Sequence, residues 1–129
     1  MKGLWGDHSQ QYLYVLSVGT LLLFGLPILI RPLGWARLFR WPIPEQTDLA
    51  NYFGRCLAGL ICVLAFFAYR AGTEPQLQPF FFDLLLSSFA VMVAIHLYGA
   101  IKKIQPLSET IEIAYWLFLF FLTLCFYPK

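Results

Sequence analysis

Four ionisable side chains of this 129-residue chain stand near or inside long apolar runs: Arg55, Asp83, His96 and Glu112. A charge at the centre of a membrane helix costs about 2.5–3.5 kcal/mol, so each needs an internal partner or a task. Their types suit proton exchange. A carboxylate and an imidazole can pass a proton, while a guanidinium can set their pKa values or hold an anionic headgroup. Asn51 stands one helical turn before Arg55 on the same side. Arg55, His96, Glu112 and Asn51 are therefore the candidate ligand-binding residues.

Other chemistry is poorly supplied. Cys56, Cys62 and Cys125 form no C-x-x-C pair. Cys56 and Cys62 lie about 240° apart around a helix and cannot face each other, so packing is their expected role. The histidines, His8 and His96, read as lying near opposite membrane faces, which offers no metal or haem set. No Ser-His-Asp set, P-loop or glycine-rich nucleotide fingerprint occurs, and no residue is identified as catalytic. No cofactor is expected beyond a bound lipid or quinone.

The elements that must position these residues follow from composition. Hydrophobic residues make up 60% of the chain, charged residues 12% and aromatic residues 19%. A soluble domain is about 45–50% apolar and about 25% charged, so there are too few charges here to coat a water-soluble globule. A net charge of +2 gives no basic face for nucleic acid. Four runs approach the roughly 20 residues needed to cross a bilayer: about 12–30, 51–69, 80–101 and 111–127. They are continuous rather than alternating, so helices are expected and not a barrel. The expected fold is all-α: one integral membrane four-helix bundle spanning 1–129, with no soluble domain.

Prolines sit between the runs, as at Pro32, Pro42, Pro44, Pro75, Pro79 and Pro106. Pro27 lies inside the first run and predicts a kink or an early end there. Ser108 or Thr110 is the expected cap of the fourth helix. The first run reads as a span rather than a signal peptide, being too long and followed by no small-residue cleavage site.

Alternating topology puts Arg55, His96 and Glu112 at one depth on three different helices. Small residues on their faces, including Gly54, Ala58 and Gly59 near Arg55, suit close helix contact. Three readings stay open: a structural Arg55–Glu112 ion pair with His96 as an extra partner, a ligand site open toward the cytoplasmic side, or unrelated lipid-facing positions.

Residues 33–41 read LGWARLFRW. Aromatic and basic residues interleaved in this way suit the membrane–water interface, so Trp35, Arg37, Arg40 and Trp41 are expected anchors of an amphipathic segment. Arg31, Arg37, Arg40, Lys102 and Lys103 mark one side, against Lys2, Arg70 and Lys129 on the other. Lys and Arg stay with cytoplasmic loops, which puts both termini in the periplasm of a bacterial inner membrane.

Three stretches resemble the DoxX-like group of small four-helix membrane proteins. They are the Gly25/Pro27 end of the first run followed by RPLGWARLFRW, the opening NYFGRCLAGL of the second, and the short 102–110 turn into the last. The layout is shared with other four-helix families, including the sterol-isomerase-like EXPERA group. The DoxX-like resemblance implies a helper role in membrane redox systems, while the cysteine pairs of some redox-linked relatives are missing here.

The expected function is therefore an accessory or assembly subunit of a larger membrane complex. Its expected partners are lipids and other subunits, or further copies of itself. The alternatives are a lipid- or quinone-binding protein or isomerase-like enzyme using Arg55, His96 and Glu112, and an oligomeric channel or carrier.

Overall fold

The computed structural model describes residues 2–129. It is helical through most of its length, with no strand among the described residues. Four helical segments are long and apolar enough to cross a membrane: Gly6–Ile30, Asp48–Thr73, Pro75–Lys102 and Leu107–Phe126. The fold is all-α, and these four helices are those of an integral membrane protein. The segments overrun their apolar stretches because backbone groups at membrane depth bond only within a helix, so winding continues into the polar flanks.

The chain folds as two compact units, one built from Leu13–Arg70 and the other from the segment up to Tyr12 together with Ala71–Lys129. In the first, helix α1 (Ser9–Thr20) runs into a wide π-helical turn at Leu21–Gly25, then α2 (Leu26–Ile30), α3 (Pro32–Leu38) and α4 (Asp48–Thr73). The expected disturbance at Pro27 is this π turn, in which the Leu26 N–H reaches back five residues to Leu21 O. Pro27 has no N–H to offer Leu23 O and its ring crowds that carbonyl, so the helix widens rather than breaks. The Trp35 indole N–H, from α3, donates to Leu23 O at 3.2 Å. The helix ends at Arg31, ahead of Pro32, which starts α3.

The first span runs antiparallel to α4. Near its middle the Ser17 hydroxyl donates to Ala65 O at 2.6 Å. Just past its end, Gly54 lies so close to Pro32 that a Cβ on it would sit 2.6 Å from the Pro32 Cβ. Ala58 and Ala65 are buried between them. Small residues let backbones approach where apolar bulk gives no advantage over lipid.

The second unit is built on a hairpin of α5 (Gln78–Lys102) and α6 (Leu107–Phe126). Phe82 and Thr123 are fully buried in it. Thr123 Oγ1 donates to Leu119 O at 2.7 Å. Its proton is thereby committed, so the Tyr12 hydroxyl, 2.6 Å away, donates to it. The Tyr12 ring stacks on Phe126 at 4.9 Å. The N-terminal segment also closes the end of α6: Gly3 N–H donates to Leu124 O at 2.9 Å and Trp5 N–H to Cys125 O at 2.8 Å. The Ser9 hydroxyl lies 2.8 Å from Phe126 O. Carbonyls that a helix leaves open at its C-terminus thus find partners.

Candidate functional site

The α5–α6 connection is tight. Lys103 takes a left-handed conformation at φ 55° and caps α5, and Pro106 opens α6 in extended backbone. The cap of α6 is Pro106, not Ser108 or Thr110, the residues expected from the sequence. The helix begins earlier, at Leu107, and the carbonyl of Pro106 receives the N–H groups of Glu109 and Thr110. The Gln105 side chain folds back over the turn. Its amide donates to His96 O and to Thr110 Oγ1, each at 3.1 Å. Gly99 makes room for it, since a Cβ there would stand 2.0 Å from Gln105 Oε1.

This turn sets Glu109 and Glu112 opposite His96. The two glutamates are three residues apart, hence on one face of α6. Both lie in its first two turns, where the helix dipole favours carboxylates. His96 Nε2 is 3.2 Å from a Glu109 oxygen and 3.6 Å from a Glu112 oxygen. One ligand-type atom from each residue lies within 4.8 Å of the other two. Water barely reaches the group: the side chains of His96, Glu109 and Glu112 are 6%, 12% and 15% exposed. The Trp116 ring packs 5.9 Å from both the His96 and Phe89 rings, and its buried Nε1 faces the Glu112 carboxylate.

The other imidazole nitrogen identifies the tautomer. His96 Nδ1 lies 2.7 Å from Met92 O. A carbonyl only accepts, so Nδ1 carries the hydrogen. A neutral His96 then turns a lone pair toward two carboxylates. Three acceptors cannot hold one another without a proton or a cation between them. A proton sits on Nε2 or on one of the carboxyl groups, or a cation sits between them.

Two of the sequence candidates, His96 and Glu112, thus come together, joined by Glu109, which had not been singled out. Glu109 was assigned to a loop because the fourth run was read from 111. The signal was Pro106: a helix opening there puts Glu109 and Glu112 on one face. Metal ligation, set aside because His8 and His96 read as lying near opposite faces, re-enters with Glu109. Arg55 and Asn51 belong to the Leu13–Arg70 unit, Arg55 exposed and Asn51 half-buried, four residues apart on α4.

Among the interfacial residues, Trp35 stacks on Phe39 at 4.2 Å, and Arg37 and Arg40 are exposed. The amphipathic helix ends at Leu38, short of the expected 41, and Arg40 turns the chain at φ 62°. Asp83 accepts from the Tyr127 hydroxyl at 3.0 Å. All three cysteines are free. Comparison with family models, curated proteins and solved structures gives no match.

Proposed function

We propose that the protein is a small accessory subunit of the bacterial inner membrane whose working part is a ligand site at His96, Glu109 and Glu112. One observation carries this: three ionisable side chains, an imidazole and two carboxyl groups, converge, nearly dry, at the end of a membrane hairpin. Holding a turn together needs only neutral hydrogen bonds, such as those Gln105 already makes. A cluster of this kind inside a span is costly and suits the handling of a ligand or proton. A lipid headgroup or quinone would find proton-exchanging groups here.

The accessory role is supported by the layout shared with DoxX-like proteins and by Arg55, exposed on α4 and suited to a lipid phosphate or an acidic neighbour. The excess of Arg and Lys in the 31–50 and 102–110 loops supports a cytoplasmic position for the ligand site, with both termini periplasmic.

Native mass spectrometry of gently extracted protein tests both parts. Expected are co-purifying subunits, and a small ligand held by the wild type and lost in Glu112→Gln and His96→Ala. A bare monomer would overturn the accessory role. Identical bound species in wild type and variants would overturn the site.

A further inference from the structure

We infer that the His96–Glu109–Glu112 cluster binds a divalent first-row transition-metal ion of the Mn²⁺, Fe²⁺ or Zn²⁺ kind. The inference rests on the ligand-site reading above and names the occupant.

Geometry comes first. Nitrogen and oxygen ligands sit about 2.0–2.2 Å from such an ion. Two of them are then about 3.0 Å apart at adjacent octahedral positions and about 3.4 Å apart in a tetrahedron, by simple trigonometry on those bond lengths. The two His96–carboxylate separations, 3.2 and 3.6 Å, fall close to these values. The third pair closes within 4.8 Å, a gap that small rotations of two glutamates on one helix face can reduce.

The histidine is already oriented as a ligand. Its Nδ1–H is held by Met92 O at 2.7 Å, which leaves the Nε2 lone pair aimed at the carboxylates. Metal-binding histidines use the same device: a hydrogen bond to the far nitrogen fixes tautomer and ring direction. Ligand type narrows the ion. One imidazole with two carboxylates suits Mn²⁺, Fe²⁺ and Zn²⁺, whereas Cu(I) prefers sulfur, and Ca²⁺ and Mg²⁺ prefer all-oxygen shells. Two carboxylates also neutralise a dication, so the filled site carries no net charge into its apolar surroundings.

A fourth feature concerns what completes the shell. Three protein ligands leave at least one position for water or a substrate oxygen. The Trp116 ring beside His96 closes the apolar side of the group.

The test uses the full-length protein in detergent, stripped with a chelator. Mn²⁺ is titrated in and followed by the loss of the free-ion electron paramagnetic resonance signal. Zn²⁺ competition and elemental analysis give the stoichiometry. Expected is one ion per chain, with affinity falling by about 100-fold or more in Glu109→Gln and Glu112→Gln, beyond the roughly 10–100-fold typical of losing an outer partner. Both changes keep side-chain shape and size, so they carry the test even if His96→Ala does not fold. Helicity and monodispersity confirm folding.

Wild type that binds no ion, or variants that bind as tightly as wild type, would overturn the metal. If the wild type then still held an organic ligand that the variants lose, the metal inference would fall and the ligand-site reading would stand. Loss of both would overturn both.

Discussion

Replacing Gly99 by alanine should be destabilising only because of Gln105, and that dependence can be measured. A new Cβ at position 99 would stand 2.0 Å from Gln105 Oε1 and 2.7 Å from its Cδ, too close for any real contact. The Gln105 side chain must swing away, which breaks its bonds to His96 O and Thr110 Oγ1. Two such bonds are worth about 1–3 kcal/mol together, at roughly 0.5–1.5 each. Alanine in place of a helical glycine returns about 1 kcal/mol. Gly99→Ala should therefore cost about 0–2 kcal/mol net in the wild-type background, by the same magnitudes.

With Gln105→Ala already in place, nothing is left to displace. The same Gly99→Ala change should then stabilise by about 1 kcal/mol, from helix propensity alone. The coupling between the two sites is the quantity to measure, by a double-mutant cycle on detergent-solubilised protein unfolded reversibly with sodium dodecyl sulfate. Helicity serves as the readout. Additive effects, with Gly99→Ala equally costly in both backgrounds, would refute the placement of Gln105 over Gly99. The same single change should also weaken ligand binding at Glu109 and Glu112, because the turn that presents α6 to His96 is loosened.

Thr123→Val should destabilise by about 1–3 kcal/mol, more than Tyr12→Phe at about 0.5–1.5, because only the former strands a buried hydroxyl, that of Tyr12. Equal costs in the same unfolding assay would count against the donor assignment. Gly54→Ala should cost about 1–3 kcal/mol by pressing on the rigid Pro32 ring, whereas Gly59→Ala, with nothing within 4 Å, should be neutral or stabilising. Thermal unfolding separates the two, and equal effects would remove the claimed close approach at Gly54. Trp35→Phe should destabilise by roughly 1 kcal/mol through loss of the indole bond to Leu23 O, with the ring contact to Phe39 kept. A change in indole fluorescence without any change in the unfolding midpoint would show that bond to be dispensable.

The sequence by itself determined the solvent and the elements. With 12% charged residues and four apolar runs, the chain has no stable arrangement except helices whose backbone bonds close internally. Pro27 announced a disturbance, because a missing N–H acts locally. The small pair Gly54/Ala58 announced a close helix contact, and the structure supplies Pro32 as what meets it. His96 and Glu112 were conspicuous as costly exceptions in apolar surroundings.

Tertiary structure decided the membership of the site. Glu109 joins His96 and Glu112 only because Pro106 opens α6 early and Gln105, seated over Gly99, sets the hairpin's turn. The Tyr12–Thr123 bond, and the closing of α6 by backbone N–H groups of the N-terminal segment, join residues more than a hundred positions apart. Helical periodicity speaks only of neighbours three or four positions away, so such partners become known only when the chain has brought them together. The direction of His96 has the same origin: Met92 O holds one nitrogen, and the fold of the hairpin decides what the other nitrogen meets.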